Sequence, residues 1–341
     1  DMPVSELGVK ALNDTTLEVT LAGSMSYFPL TTTHGSTFPS PQWVIEAHGT
    51  DWIKPENIVS NGAYVLTKHV PNETLERERN PMYWNDAETI MEKVVIKIVN
   101  DENVALTRYL AGEFDKTGVP TGQFLKMQKQ YPAEVYSNPK LCTYYYSLNM
   151  GENGPEALKD KRVRQALSYA IDRDIIVENI LQAGQFPAYT FTPGATAGFS
   201  VPEVAAATMS QAERDAKAAE LLSAAGYDKG NPLAIEILYN TSEGHKKIAI
   251  AISQMWKQKL GVEATMQNQE WKTFLSTKGE GNYEVGRAGW CGDYNEASTF
   301  LDLVNSKSGY NDSKFSNAEV DQLLADSKTS DNAQPNYTRI E

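Results

Sequence analysis

"LAIEILYNTSEGHKKIAIAISQMWKQKLGVEATMQ", residues 233–267, decides the fold. "LAIEILY" is a short apolar run with the length of a strand. "EGHKKIAIAISQMWKQKLG" reads as a helix that stops at Gly261, because glycine closes helices in a left-handed conformation. "VEATMQ" returns as a strand. The pattern continues with a short helix over "EWKTFLST" and a strand over "YEVGRAGW", residues 283–290. Strands alternating with helices predict βαβ units, hence a sheet covered by helices.

Upstream, "SQAERDAKAAELLSAAGY" opens on a capping box, Ser210 with Glu213, and closes at Gly226. "DKRVRQALSYAID" places Val163, Ala166, Leu167, Ala170 and Ile171 on one helical face. The first half is less regular. "TLEVTL", residues 16–21, alternates like a half-buried strand. A turn on Asn61-Gly62 feeds a strand in "SNGAYVLTKHV". "LERERNPMYW" continues as an alternating segment as far as Pro81, and "EKVVIKIVND", residues 92–101, is a β-branched strand. A short helix with a glycine stop at Gly112 follows in "ENVALTRYLAGEFD".

The chain has 341 residues, enough for two or more domains with real cores. Its net charge of −13 makes nucleic acid and anionic membranes poor partners, since long-range repulsion opposes the encounter. No apolar run reaches the ~18 residues that a membrane span needs. The opening at Asp1, without an initiator methionine, reads as a processed or trimmed form. The 17 tyrosines offer flat faces with polar tips, which suit binding surfaces. Four dispersed histidines and no HExxH give no metal site. Cys142 and Cys291 lie outside CxxC spacing and read either as two buried thiols or as one disulfide.

Chemistry concentrates in "RAGWCGDYNEAS", residues 287–298, at the carboxyl end of the last sheet strand. That is where α/β proteins usually place ligands. A hydrolase would pair Glu270 or Glu296 with Asp293 as acid and base. No nucleophile elbow or phosphate loop accompanies them. A binding site uses the same residues differently. Arg287 offers a planar fork for a carboxylate, Asp293 an acceptor for an ammonium, and Trp290 a wall against water. Six residues separate Arg287 from Asp293, at most roughly 20 Å when extended. The termini of a three-residue peptide lie about 7 to 10 Å apart. Internal salt bridges for Arg287 and Asp293 are the plainer alternative.

The blocks "NGAYVL", "ERNPMYWNDAETI", "LCTYYYSLN", "RVRQALSYAIDRDIIV", "PAYTFTPG", "LYNTSEGHKKIAIA", "NQEWKTFL" and "RAGWCGDYNEASTFL" follow one another in a single order. That order resembles the bacterial periplasmic oligopeptide-binding proteins, receptors of ABC importers, and their murein-tripeptide relatives. The resemblance runs from about residue 8 to residue 338. It implies the large class of two-lobed α/β periplasmic binding protein with an extra domain. Residues 1–45 then end the extra domain, 46–141 form part of the first lobe, and 142–341 form most of the second. The N-terminal and C-terminal segments of the family are expected to be missing.

The resemblance also implies residue roles. Cys142 and Cys291 match a disulfide pair, which implies the periplasm of a Gram-negative bacterium. So long a loop contributes about 4 to 5 kcal/mol in the chain-entropy model. Asp293 matches the aspartate that holds a peptide's α-ammonium. Arg287 and His245 match positions at the ligand's carboxyl end. Trp271, Trp290, Tyr145 and Asn268 match residues at side-chain pockets. Leu181 stands where some relatives carry a lysine that meets the carboxylate of very short peptides. The function implied is capture of peptides of two to five residues, with little side-chain preference, for an ABC permease. No cofactor, no catalysis and a monomeric state are expected. A narrower murein-tripeptide receptor is the alternative within the family, and a hydrolase the alternative outside it.

Overall fold

The computed structural model describes residues 3, 6–21, 23–330 and 332–341. The chain divides into two compact units, residues 1–35 with 121–341, and residues 36–120. Near the N-terminus, β1 (Val9–Asn13) and β2 (Thr16–Val19) form an antiparallel ribbon. Every residue of β2 is exposed, so its alternation does not mark a half-buried face as the sequence suggests. A two-stranded ribbon has no third element to cover either side.

The smaller unit carries an antiparallel meander of β3 (Tyr64–Val70), β4 (Thr74–Arg79) and β5 (Lys93–Lys97). Asn72 turns β3 into β4 with φ 59°, a left-handed conformation that asparagine tolerates. Glu76 on β4 bridges Lys68 at 3.2 Å and Lys93 at 2.6 Å, tying the three strands across one face. The strand expected over 92–101 ends at Lys97, because Asp101 caps the next helix. Its side chain accepts the backbone N–H groups of Asn103 and Val104, 2.8 and 3.0 Å away.

In the larger unit, β6 (Cys142–Leu148), β7 (Ala234–Asn240), β8 (Glu263–Gln269) and β9 (Val285–Cys291) form one sheet in the order β6-β9-β7-β8. β7 runs parallel to both β8 and β9, and β6 lies antiparallel on the far edge of β9. The βαβ reading of residues 233–267 holds. The helix Glu243–Leu260 links β7 to β8, and Gly261 closes it at φ 72°.

Side-chain alternation gives the sheet two covered faces. On one, Ile235, Ile237, Tyr239 and Val285 pack against Val163, Leu167, Leu222, Ile248, Ile252 and Trp256 from three helices. On the other, Leu238 packs with Phe274 of the helix Trp271–Gly279 and with Tyr283. The capping box is formed: Ser210 N–H donates to Glu213 Oε2 at 2.7 Å, and Glu213 N–H to Ser210 Oγ at 3.3 Å.

Trp256 centres this core at 1% exposure, and its Nε1–H donates to the Leu167 carbonyl at 2.8 Å. Trp256→Ala leaves a large void and an unpaired carbonyl. Urea unfolding should show it destabilised by about 3–5 kcal/mol. A loss below ~1 kcal/mol would mean that this contact does not anchor the core.

Candidate functional site

β7, β8 and β9 are parallel, so their carboxyl ends share one edge of the sheet. Antiparallel β6 brings its amino end to the same edge, with Cys142 opposite Cys291 and Thr143 opposite Trp290. Cys142 and Cys291 are disulfide-bonded there. The expected site residues on these strands therefore gather at the edge that α/β proteins use for ligands.

Alternation splits them between two faces. Tyr146 faces Arg287 in register, and Tyr144 lies on that same side. The Arg287 guanidinium carbon sits 5.0 Å from the centre of the Tyr144 ring. Its Nη1 donates to Asn240 Oδ1 at a long 3.4 Å, while its buried Nε makes no hydrogen bond among the described residues. Among the described residues no carboxylate lies within ion-pair distance of Arg287. The internal salt bridge that the spacing allows is thus not formed at this end. An arginine held on an aromatic face with an open fork suits a planar anion.

His245 stands on the first turn of the helix Glu243–Leu260, where Ser242 caps the backbone N–H of His245 at 3.5 Å. Its Nδ1 lies 3.2 Å from the Tyr144 hydroxyl. Tyr144 thereby joins Arg287 to His245. Burial, reinforced by the positive charge of Arg287, pushes the imidazole down to about 4. His245 is neutral at neutral pH, and Arg287 carries the positive charge of this cluster.

Asp293 follows β9 in a loop fixed by two contacts. Gly292 N–H donates to the Leu141 carbonyl at 2.9 Å. A side chain at Gly292 would press on Leu141, Thr299 and Tyr294 at 3.0–3.1 Å, so glycine suits the close approach. The Asp293 N–H donates to Thr299 Oγ1 at 3.1 Å, and Trp290 Nε1 donates to the same oxygen at 3.3 Å. The Asp293 carboxylate is over a third exposed and lies 3.5 Å from His34 Nε2. No lysine or arginine among the described residues pairs with it.

The remaining candidates lie apart from these contacts. Tyr145 is on the other face of β6 from Tyr144 and packs against Phe191, with ring centres 4.8 Å apart. Asn268, at the end of β8, accepts the Thr241 hydroxyl at 3.0 Å. Trp271 begins the next helix, half exposed and stacked on Phe274. Leu181 packs on the main core. The two acids of the hydrolase alternative hold structure. Glu270 caps its helix through Lys272 N–H at 2.9 Å, and Glu296 accepts Ser298 N–H at 2.7 Å and the Tyr337 hydroxyl at 2.6 Å. Among the described residues no group of histidine, cysteine and acidic side chains could hold a metal ion.

Tyr144, Asn240, Thr299 and His34 were not singled out by the sequence. Tyr144 was within reach, since a two-residue period from Arg287 across the paired strand leads to it.

A family model for the middle portion of bacterial extracellular solute-binding proteins, family 5, matches residues 2–312. The chain belongs to this family. Among family 5 members, the periplasmic oligopeptide-binding protein OppA of Salmonella typhimurium is 44% identical over 335 residues, covering 97% of this chain and 61% of that protein. The periplasmic murein peptide-binding protein MppA of Escherichia coli is 45% identical over 325 residues, covering 95% and 60%. The solved murein tripeptide-binding protein MppA of E. coli superposes with TM-score 0.94 and 42% identity, over 99% of this chain and 66% of that one. Haemophilus influenzae OppA, solved with the peptide RPPGFSPFR, gives 0.91 and 39%, over 99% and 67%. The expected fold class, the two-lobed α/β binding protein, is that of these family 5 neighbours. The chain spans about three fifths of the length of the curated relatives it matches.

The His245 imidazole has a measurable signature. The unfolded chain takes up its proton near the ordinary value of about 6.5, and the folded chain only near 4. The folded state therefore loses stability as pH falls from 6.5 to 4. The ring is half exposed, so the loss is of order 1–2 kcal/mol. Urea unfolding at pH 7 and pH 4 should show a smaller acid loss in His245→Gln by that amount. Equal losses in both proteins would sink this account.

Proposed function

We propose that this chain is the peptide-gripping part of a periplasmic receptor of a Gram-negative bacterium. It captures short peptides of two to five residues and passes them to the permease of an ABC importer. It carries no reaction, needs no cofactor, and acts as a monomer. In this reading residues 1–45 end an extra domain, 46–141 belong to the first lobe and 142–341 to the second; the compact units themselves divide at 35/36 and 120/121.

The observation that carries the proposal is the pair of charges left open on one sheet edge. Among the described residues Arg287 has no carboxylate partner, and the ion-pair partner of Asp293 is an imidazole. A zwitterion with an ammonium and a carboxylate complements both. Every peptide has these termini, so the grip reads the class rather than the sequence. In this reading Trp290, Trp271 and Tyr145 border side-chain pockets, Asn268 supports the end of β8, and His245 assists Arg287 as a neutral donor or acceptor. The relatives named for oligopeptide and murein-peptide binding support a peptide as the ligand.

Calorimetric titration with Ala-Ala-Ala tests the proposal, beside its N-acetylated and C-amidated forms. The free peptide should bind and be recovered intact, and both blocked forms should bind much more weakly. Asp293→Asn should weaken the free peptide by about 30-fold or more, as expected for a truncated desolvated pair. Equal binding of free and acetylated peptide would remove the ammonium anchor. Binding of a murein tripeptide with silence from Ala-Ala-Ala would select the narrower receptor. Cleaved peptide would restore the hydrolase.

A further inference from the structure

We propose that Tyr310 is a specificity-determining residue of this site: with Trp290 it forms an open aromatic corner that favours peptides carrying an aromatic side chain. The proposal rests on the peptide-receptor reading above and adds a preference that the termini alone cannot supply.

Tyr310 is 65% exposed, yet its ring is not adrift. Its centre lies 5.1 Å from that of Trp290, with the planes tilted by 59°. The loop that presents it is pinned by its neighbour Asn311, which is only 3% exposed. Asn311 Nδ2 donates to the carbonyls of Asn305 at 3.1 Å and Phe315 at 2.7 Å. Its Oδ1 accepts the Ser313 hydroxyl at 2.9 Å and the Phe315 N–H at 3.1 Å. The backbone on one side of Tyr310 is therefore fixed, and the ring is held out into solvent beside Trp290.

Trp290 is fixed in turn through Thr299, 4% exposed, whose hydroxyl oxygen accepts both the indole N–H and the Asp293 N–H. One oxygen thus sets the aromatic corner and the ammonium acceptor in a constant relation. A side chain close to the anchored amino end of a peptide would meet the corner. Tyr145, with Phe191 against it, lies on the same face of the sheet as Trp290, so the surroundings are aromatic too.

The Asp312 carboxylate, two residues along the loop, is taken by Lys278 at 2.8 Å. The two rings are tilted at 59°, and the exposed face of Tyr310 can meet a third ring edge-to-face. Such ring pairs favour binding by roughly two- to tenfold beyond the burial of apolar area.

The test is calorimetry on the 341-residue chain with Ala-Ala-Ala, Phe-Ala-Ala, Ala-Phe-Ala and Ala-Ala-Phe. The wild type, Tyr310→Ala and Tyr310→Phe are compared. In the wild type at least one phenylalanine peptide should bind roughly two- to tenfold more tightly than Ala-Ala-Ala. Tyr310→Ala should lose this preference and keep its affinity for Ala-Ala-Ala, while Tyr310→Phe should retain both. Preference persisting in Tyr310→Ala overturns the assignment. So does its absence from a wild type that still binds Ala-Ala-Ala, or an equal loss for all four peptides. Silence from all four peptides in the wild type would instead bring down the peptide reading itself, and this proposal with it.

Discussion

The pairing of β6 with β9 is the constraint on which the site depends. β6 comes from residues 142–148 and β9 from 285–291, and their register sets Cys142 against Cys291. That register decides which tyrosine lies beside Arg287 and which lies beside Trp290. A slip of one residue would carry Tyr145 to the arginine face and Tyr144 to the tryptophan face. The disulfide at the end of the pair opposes such a slip, because it joins the two strands where the ladder would otherwise fray. The same bond holds Leu141 near Gly292, from which the Asp293 loop departs.

The electrostatics follow from what surrounds each charge. Arg287 is supported by an aromatic face and an amide oxygen, neither of which neutralises it. A neighbouring imidazole stays uncharged because burial and Arg287 both disfavour its proton. Asp293 is held by its backbone N–H, and among the described residues its carboxylate pairs with His34 alone. The abundant acids nearby do not blur this pattern. Glu270 caps its helix, Glu296 accepts the Ser298 N–H and the Tyr337 hydroxyl, and Asp312 is paired with Lys278.

Much of the sheet could be read from the sequence because its signals are local. Residues 233–267 carry a strand run, a long helical run and a glycine stop, and they form a βαβ unit. The Ser210 box is equally local and equally present. Strand order was not legible, since β9 enters between β6 and β7 by contacts across many residues. The fate of β2 was missed for a related reason: alternation reports a face only when something covers it. At the site, charged and aromatic side chains in 287–298 stood out by type. Thr299 and Tyr144 did not, because a hydroxyl among many gains its role only from the partners that folding brings to it.

The order of strands also bears on how the chain reaches its native state. Of the four strands of this sheet β9 comes latest in the chain, yet it occupies an interior position and pairs with both β6 and β7. β7 and β8 can pair as soon as their linking helix exists, for they are close in sequence. β6 must wait for more than a hundred intervening residues before its partner emerges. Loop closure of that length comes late and slowly. Until then β6 exposes an unpaired edge and a lone thiol, Cys142, able to exchange with other cysteines. Assembly of this sheet edge thus waits on the segment that ends at Cys291.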